Sequence, residues 1–346
     1  MTKHTILPAL AGAALASVFT ACAHAQSAQP FFKDKQVTIA IGSSTGGGLD
    51  TYGRLVSRHF GKHLPGNPQV VASNMPGAGG GVVASHVYTR APKDGTFVGV
   101  VFPSVIVDPL LSESLRRTYD PAKFRYVGNA HSEVLVCLLR RDAGPKTPAE
   151  LIASDVIIGA TAPGSTTFDF PTIANGLLGG KLKIVTGYKG SREVTLAMER
   201  NEVQGICGLG WSTVKVQFPD ILKTDLFARV FAQEDLKGHP QLNQLKVPLM
   251  LDLAQNETDR RALEMFYSQN SFARPVIAPP EIPTDRLTEM RRAFDATMKD
   301  RELLAEAEKM NIDVHPLAGE EVEKFVARMF ETPADTVGRV KKALGR

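Results

Sequence analysis

Long apolar runs are scarce in this chain of 346 residues. Residues 6–20 form the one extended stretch that is mostly apolar and uncharged. It falls short of the roughly 20 residues a membrane-spanning helix needs. Lys3 precedes it, and Ala23-His24-Ala25 follows as a small-x-small triplet of the kind a signal peptidase cuts after. Residues 1–25 therefore read as an export signal, with Gln26 as the new N-terminus and a bacterial periplasm as the destination. Thr20-Ala21-Cys22 is a rival, lipoprotein-type site, weakened by Phe19 where such sites favour Leu. The exported chain is expected to be soluble, or lipid-anchored at most.

Cysteine is nearly as scarce. Of three, Cys22 leaves with the signal, while Cys137 and Cys207 stand in apolar, strand-like runs. An oxidising compartment allows them one disulfide, and two separate buried thiols fit the sequence equally. Their spacing matches no metal motif. Neither sign of charge dominates: the net is +4, one less once Lys3 is removed. So small and dispersed a surplus argues against nucleic acid. No lysine follows a glycine-rich loop as a phosphate loop requires, and neither such loop matches Gly-x-Gly-x-x-Gly. No Gly-x-Ser-x-Gly nucleophile elbow is expected. His59 and His63 lie four apart on one predicted helix, but no Glu completes a zincin motif, so an ordinary helix surface is expected. The chain reads as no enzyme, with no cofactor and no metal.

What is present is an alternation of strand-like and helix-like segments. Residues 37–41 read as a buried strand, 49–63 as an amphipathic helix, 70–72 as a strand, 82–89 as a helix and 97–102 as a strand. That βαβαβ order implies a largely parallel sheet. A second α/β unit runs from residue 134 to 207, with strands at 134–139, 156–159, 182–185 and 203–207. The remainder is mostly helical, over 285–298, 303–307 and 320–330, with a short strand at 312–314. Two lobes follow, the chain crossing near Gly128 and returning between Arg229 and Leu253. The expected division is a signal peptide at 1–25, the first part of lobe 1 at 26–130, lobe 2 at 131–248, and a helical return to lobe 1 at 249–346.

Two glycine-rich loops each follow a strand and open a helix: Thr45-Gly46-Gly47-Gly48 before Leu49-Asp50, and Pro76-Gly77-Ala78-Gly79-Gly80-Gly81. A helix N-terminus presents unpaired N–H groups and partial positive charge. Glycine lets a ligand reach that backbone, so such a loop suits an anion. Asp50 repels a highly charged phosphate, and a carboxylate fits better. In the second unit Ser165-Thr166-Thr167 offers three hydroxyls, each more at home capping the helix that follows. Tyr188 is a candidate cleft-lining residue. Trp211, the single tryptophan, is open between ligand platform and lobe packing. A Val at Gly47 is expected to abolish binding by intruding on the ligand.

Taken in order, several motifs resemble the substrate-binding receptors of tripartite tricarboxylate transporters, the Bug-type family. They are 37–41 with Gly-Gly-Gly-Leu-Asp, Asn74-Met75-Pro76-Gly77-Ala78-Gly79-Gly80, Ala91-Pro92-Lys93-Asp94-Gly95-Thr96, Thr147-Pro148-Ala149-Glu150-Leu151-Ile152, Gly187-Tyr188-Lys189-Gly190, and Ala278-Pro279-Pro280 with Ile282-Pro283. The resemblance covers nearly all of the exported chain. It implies an α/β, two-lobed, type II periplasmic-binding-protein-like fold with a ligand cleft between the lobes. It also implies that backbone groups and bridging water hold a carboxylate at Thr45 to Gly48, Asp50, Gly77 to Gly79, Ser165 to Thr167 and Tyr188. The implied function is capture of a small carboxylate for membrane permease subunits by a monomeric periplasmic receptor. A ligand sensor with the same fold, or a periplasmic enzyme, is the alternative. Two loops depart from the family: Gly42-Ser43-Ser44 replaces a frequent Pro-Phe, and Ser165 to Pro171 lacks a frequent His. Both loops face the implied ligand, so its identity stays open.

Overall fold

The computed structural model describes residues 1–2, 29–222 and 226–346. The export signal and the Cys22 site thus lie outside the described residues. Among the described residues, no helix is long and apolar enough to cross a membrane.

Two mixed sheets organise the chain. The first contains β1 (Gln36–Ile41), β2 (Gln69–Asn74), β3 (Phe97–Val100) and β4 (Arg125–Asn129). The second contains β5 (Leu135–Arg140), β6 (Ile157–Gly159), β7 (Lys183–Val185), β8 (Gly205–Gly210) and β9 (Ala228–Glu234). The chain then returns to the first sheet with β10 (Pro275–Ala278) and β11 (Leu317–Ala318). The orders are β11-β4-β10-β3-β1-β2 and β7-β6-β8-β5-β9. β1 pairs in parallel with β2 and β3, as the βαβαβ reading requires. β10 inserts antiparallel between β3 and β4. The short strand expected at 312–314 is absent, and Leu317–Ala318 pairs with β4 instead. Two residues of pairing leave almost no periodicity for a sequence reading to find.

Helices cover both sheets because their apolar stripes need burial. In Gly48–Phe60, Leu49, Tyr52, Leu55, Val56 and Phe60 are all buried against the first sheet. His59 and His63 on this flank each meet a carboxylate. His59 meets Glu306 at 2.8 Å and His63 meets Asp300 at 2.6 Å, tying the helix to Arg301–Lys309 and its cap. Separate cores fill the outer sides of the two sheets. A third runs continuously from Val83 and Ile106 through Met265, Val337 and Val340 to Phe170 and Ile173.

The last core marks how the C-terminal stretch is used. Helix Gly319–Phe330 packs on β4, whereas Glu257–Tyr267 and Ala334–Ala343 pack on Thr166–Leu178 of the second unit. Gly176 permits this: a Cβ there would stand 2.6 Å from Ala343 Cα. The stretch after residue 249 therefore serves both lobes.

Candidate ligand-binding cleft

A cavity of about 610 Å³ opens between the lobes. Gly48, Leu49, Ala78, Gly79 and Phe102 to Ser104 line it from the first lobe. Ala162 to Thr167, Asp169, Gly208 and Gly210 line it from the second. Glu133, Asn270 and Arg274, on the segments that cross between sheets, line it as well.

Each lobe aims a helix N-terminus at this space. Helix Gly48–Phe60 is capped by Gly47, which has no side chain to satisfy the first amides. Gly48 and Leu49 line the cavity, but Thr45, Gly46 and Gly47 do not. Asp50 does not line the cavity either. Its carboxylate turns back to accept from Gly46 N at 2.9 Å, Arg54 Nε at 2.9 Å and Asn74 Nδ2 at 2.8 Å. Burial pushes the Asp50 pKa up, but the Gly46 amide, Asn74 and Arg54 outweigh it and hold the group below its ordinary range. Asn74 also donates to Ser43 O at 2.9 Å. The acid therefore folds the loop that presents the helix end.

The second glycine loop takes four consecutive positive φ values: Gly77 133°, Ala78 47°, Gly79 58° and Gly80 91°. Three glycines make that path accessible, since L-residues rarely adopt it. Ala78 and Gly79 face the cavity, and Gly77 does not. In the second lobe, Ser165 is the N-cap of Thr166–Leu178, yet no hydroxyl caps the helix. Ser165 Oγ donates to Ala162 O at 2.7 Å, Thr166 Oγ1 donates to Gly208 O at 2.7 Å, and Thr167 Oγ1 accepts from Thr161 N at 3.1 Å. The capping expectation is thus corrected: the hydroxyls brace the loop and leave the helix N-terminus without a side-chain cap.

The cation in the cleft is Arg274. Its side chain is only 12 % exposed. Nη1 donates to Ala273 O at 2.8 Å, and Nε is buried without a partner. Nη2 lies 3.7 Å from Glu133 Oε2, beyond hydrogen-bond range. Glu133 is already served by Ser212, whose amide donates at 3.2 Å and whose hydroxyl donates to the other oxygen. Burial opposes ionisation of Glu133, but His131, Arg274 and Ser212 override it and bring its pKa to about 2. Arg274 is further fixed over the Tyr52 ring at 5.3 Å. A Cβ on Gly48 would sit 3.2 Å from Nη2, so the guanidinium stands beside the first helix N-terminus. Arg274 has one faint mark in the sequence: it is the lone charge in the run Phe272 to Ala278.

Solved structures with this fold are known. The periplasmic binding protein BugD aligns with a TM-score of 0.67 over 90% of this chain and 98% of its own, at 19% identity. R. palustris Rpa4515 with adipate aligns at 0.66 over 90% and 97%, at 19% identity. MatC from Rhodopseudomonas palustris with bound malate aligns at 0.63 over 89% and 98%, at 17% identity. This chain has the two-lobed periplasmic binding protein fold. Among curated sequences, a UPF0065 protein of Agrobacterium vitis is 31% identical over 170 residues, 47% of each chain. The match thus spans about half the length of that relative. No family model matches the chain.

Within this binding-protein fold, the two aromatic candidates fall outside the cavity. Tyr188 is half-buried on the outer core of the second lobe, over Gly159. Trp211 is 1% exposed in the same core, with its ring 6.1 Å from His239. It packs within that core and does not line the cavity.

Gly42-Ser43-Ser44-Thr45-Gly46 does have the Gly-x-Ser-x-Gly spacing, and it follows β1. Its geometry is not that of a nucleophile elbow. Ser44 is exposed, lacks the positive φ of a strained turn, and is three residues short of the helix. Among the described residues, no histidine bonds its hydroxyl. Cys137 and Cys207, left open on sequence, are joined as a disulfide between β5 and β8.

Proposed function

We propose that this chain is an extracytoplasmic solute-binding receptor that captures a small carboxylate for the membrane permease subunits of a tripartite tricarboxylate-type transporter. One observation carries the reading. Two 13-residue helices, one from each lobe, direct N-termini without side-chain caps into one cavity that also holds the Arg274 guanidinium. Helix N-termini and unspent guanidinium donors are complementary to a carboxylate. Adipate and malate in two proteins of the same fold support the ligand class. The proposed contacts are Gly48, Ala78, Gly79, Ser165 to Thr167 and Arg274. The protein acts as a non-enzymatic, monomeric receptor of the periplasm, with the strands of lobe 2 drawn from 131 to 248 and the helices after 249 shared between the lobes.

The test is a thermal-shift screen of carboxylates against sugars, nucleotides and metal ions, run on the native sequence and on Arg274→Ala. A carboxylate at about 100 times its dissociation constant adds roughly 2.7 kcal/mol of stability. Removing a charged hydrogen-bond donor weakens binding by about 10- to 100-fold. Stabilisation confined to carboxylates and lost in Arg274→Ala supports the reading. Stabilisation by nucleotides or metals alone, or full carboxylate affinity in Arg274→Ala, overturns it.

A further inference from the structure

The cleft carries opposite charges at different points of its wall. Besides Arg274 and Glu133, which stands 3.7 Å from it, its lining includes two further carboxylates that carboxylate capture does not use. Asp108 comes from helix Ser104–Leu111 of the first lobe, and Asp169 from Thr166–Leu178 of the second. One guanidinium serves both: Arg346 Nη1 donates to Asp108 Oδ1 at 2.8 Å, and Nη2 donates to Asp169 Oδ2 at 2.8 Å. Asp169 Oδ1 also accepts from Gly164 N at 3.1 Å. Among the described residues, the hydrogen bonds of Asp108 use Oδ1 alone. Two carboxylates against one cation leave a negative charge unbalanced at the cavity wall. Burial pushes the pKa of both acids up despite Arg346, as expected where compensation is incomplete.

A ligand with carboxylates at both ends would set one of them against this surplus. A ligand with an ammonium at the far end would neutralise it. Because the two acids belong to different lobes, a cation between them also draws the lobes together. We propose that Asp108 and Asp169, with Arg346, form a subsite for a cationic group, so that the ligand is an ω-amino carboxylate in preference to a dicarboxylate. This rests on the reading of the cleft as a carboxylate receptor. The ligand's carboxylate meets Arg274 and the helix N-termini, and its ammonium joins Arg346 between the two acids. Two carboxylates then face two cations.

Titration calorimetry on length-matched pairs tests this: γ-aminobutyrate against succinate, δ-aminovalerate against glutarate, and ε-aminohexanoate against adipate. The amino acid of at least one pair should bind roughly ten-fold tighter or better than its dicarboxylate, a difference expected of one charge contact in a part-buried site. In Asp108→Asn/Asp169→Asn that preference should vanish or invert. A dicarboxylate preference in every pair, with binding abolished in Arg274→Ala, overturns the subsite and leaves the receptor reading standing. No binding by either class, or binding indifferent to Arg274→Ala, overturns both. Because the comparison within the native protein decides first, the test stands even if the double variant fails to fold.

Discussion

At the scale of single residues, two adjacent glycines exchange roles. Sequence reasoning put the critical bare backbone at Gly47. There a Cβ would meet nothing within 4 Å, whereas at Gly48 it would meet Arg274 Nη2 at 3.2 Å. We therefore expect Gly47→Val to keep carboxylate affinity. Gly48→Val should weaken it by roughly ten-fold or more, because it crowds a charged donor. Calorimetry on both variants checks this, and equal losses would return the site to Gly47. A second residue-scale expectation concerns Glu234. Burial raises its pKa to about 8 from an ordinary 4.5, only partly offset by the Gly208 amide at 2.5 Å. The native state then keeps a proton that the unfolded chain has released. Its stabilising share is complete below pH about 4.5 and is lost as pH rises through about 8. Glu234→Gln keeps an acceptor for Gly208 but cannot ionise. The melting temperature of the native protein relative to this variant should fall between pH 5 and pH 9. A difference that stays flat would show Glu234 ionised throughout.

At the scale of elements, the disulfide is the clearest case. Cys137 and Cys207 are 70 residues apart in sequence but join neighbouring strands of the second sheet. Closing so long a loop restricts the unfolded chain, worth about 4 kcal/mol on chain entropy. Cys137→Ala/Cys207→Ala should lose an amount of that order in chemical denaturation. A loss below about 1 kcal/mol would mean that residual structure already constrains the unfolded loop. Long amphipathic helices were legible because their burial pattern repeats. Gly48–Phe60 and Thr284–Thr297 appear within a few residues of expectation. β10 and β11 were not, since four and two residues carry little periodicity.

At the scale of the whole molecule, the proposed receptor reading expects the lobes to close on the ligand. The cavity wall is shared between sheets, and the chain passes between them after β4, before β10 and again before Ala334–Ala343. Such crossings suit hinge closure about a few connecting residues. Solution scattering should show a smaller radius of gyration with a saturating carboxylate than without. An unchanged radius despite measured binding would place capture in a cleft that does not move.

The sequence by itself determined the alternation of strands and helices, the loops that face the cleft, and the resemblance that gave the fold. These are local properties, written in the period of apolar residues and in glycines that follow strands. Tertiary structure alone decided which loop residues face the cavity, that Asp50 folds its loop, that Trp211 is packing, and that Arg274, Asp108 and Asp169 line one cavity while Arg346 bridges the two acids. Those four come from segments as much as 238 residues apart. A charge pair closed over such a distance leaves no local trace, because only the packing of the two lobes brings its members within reach.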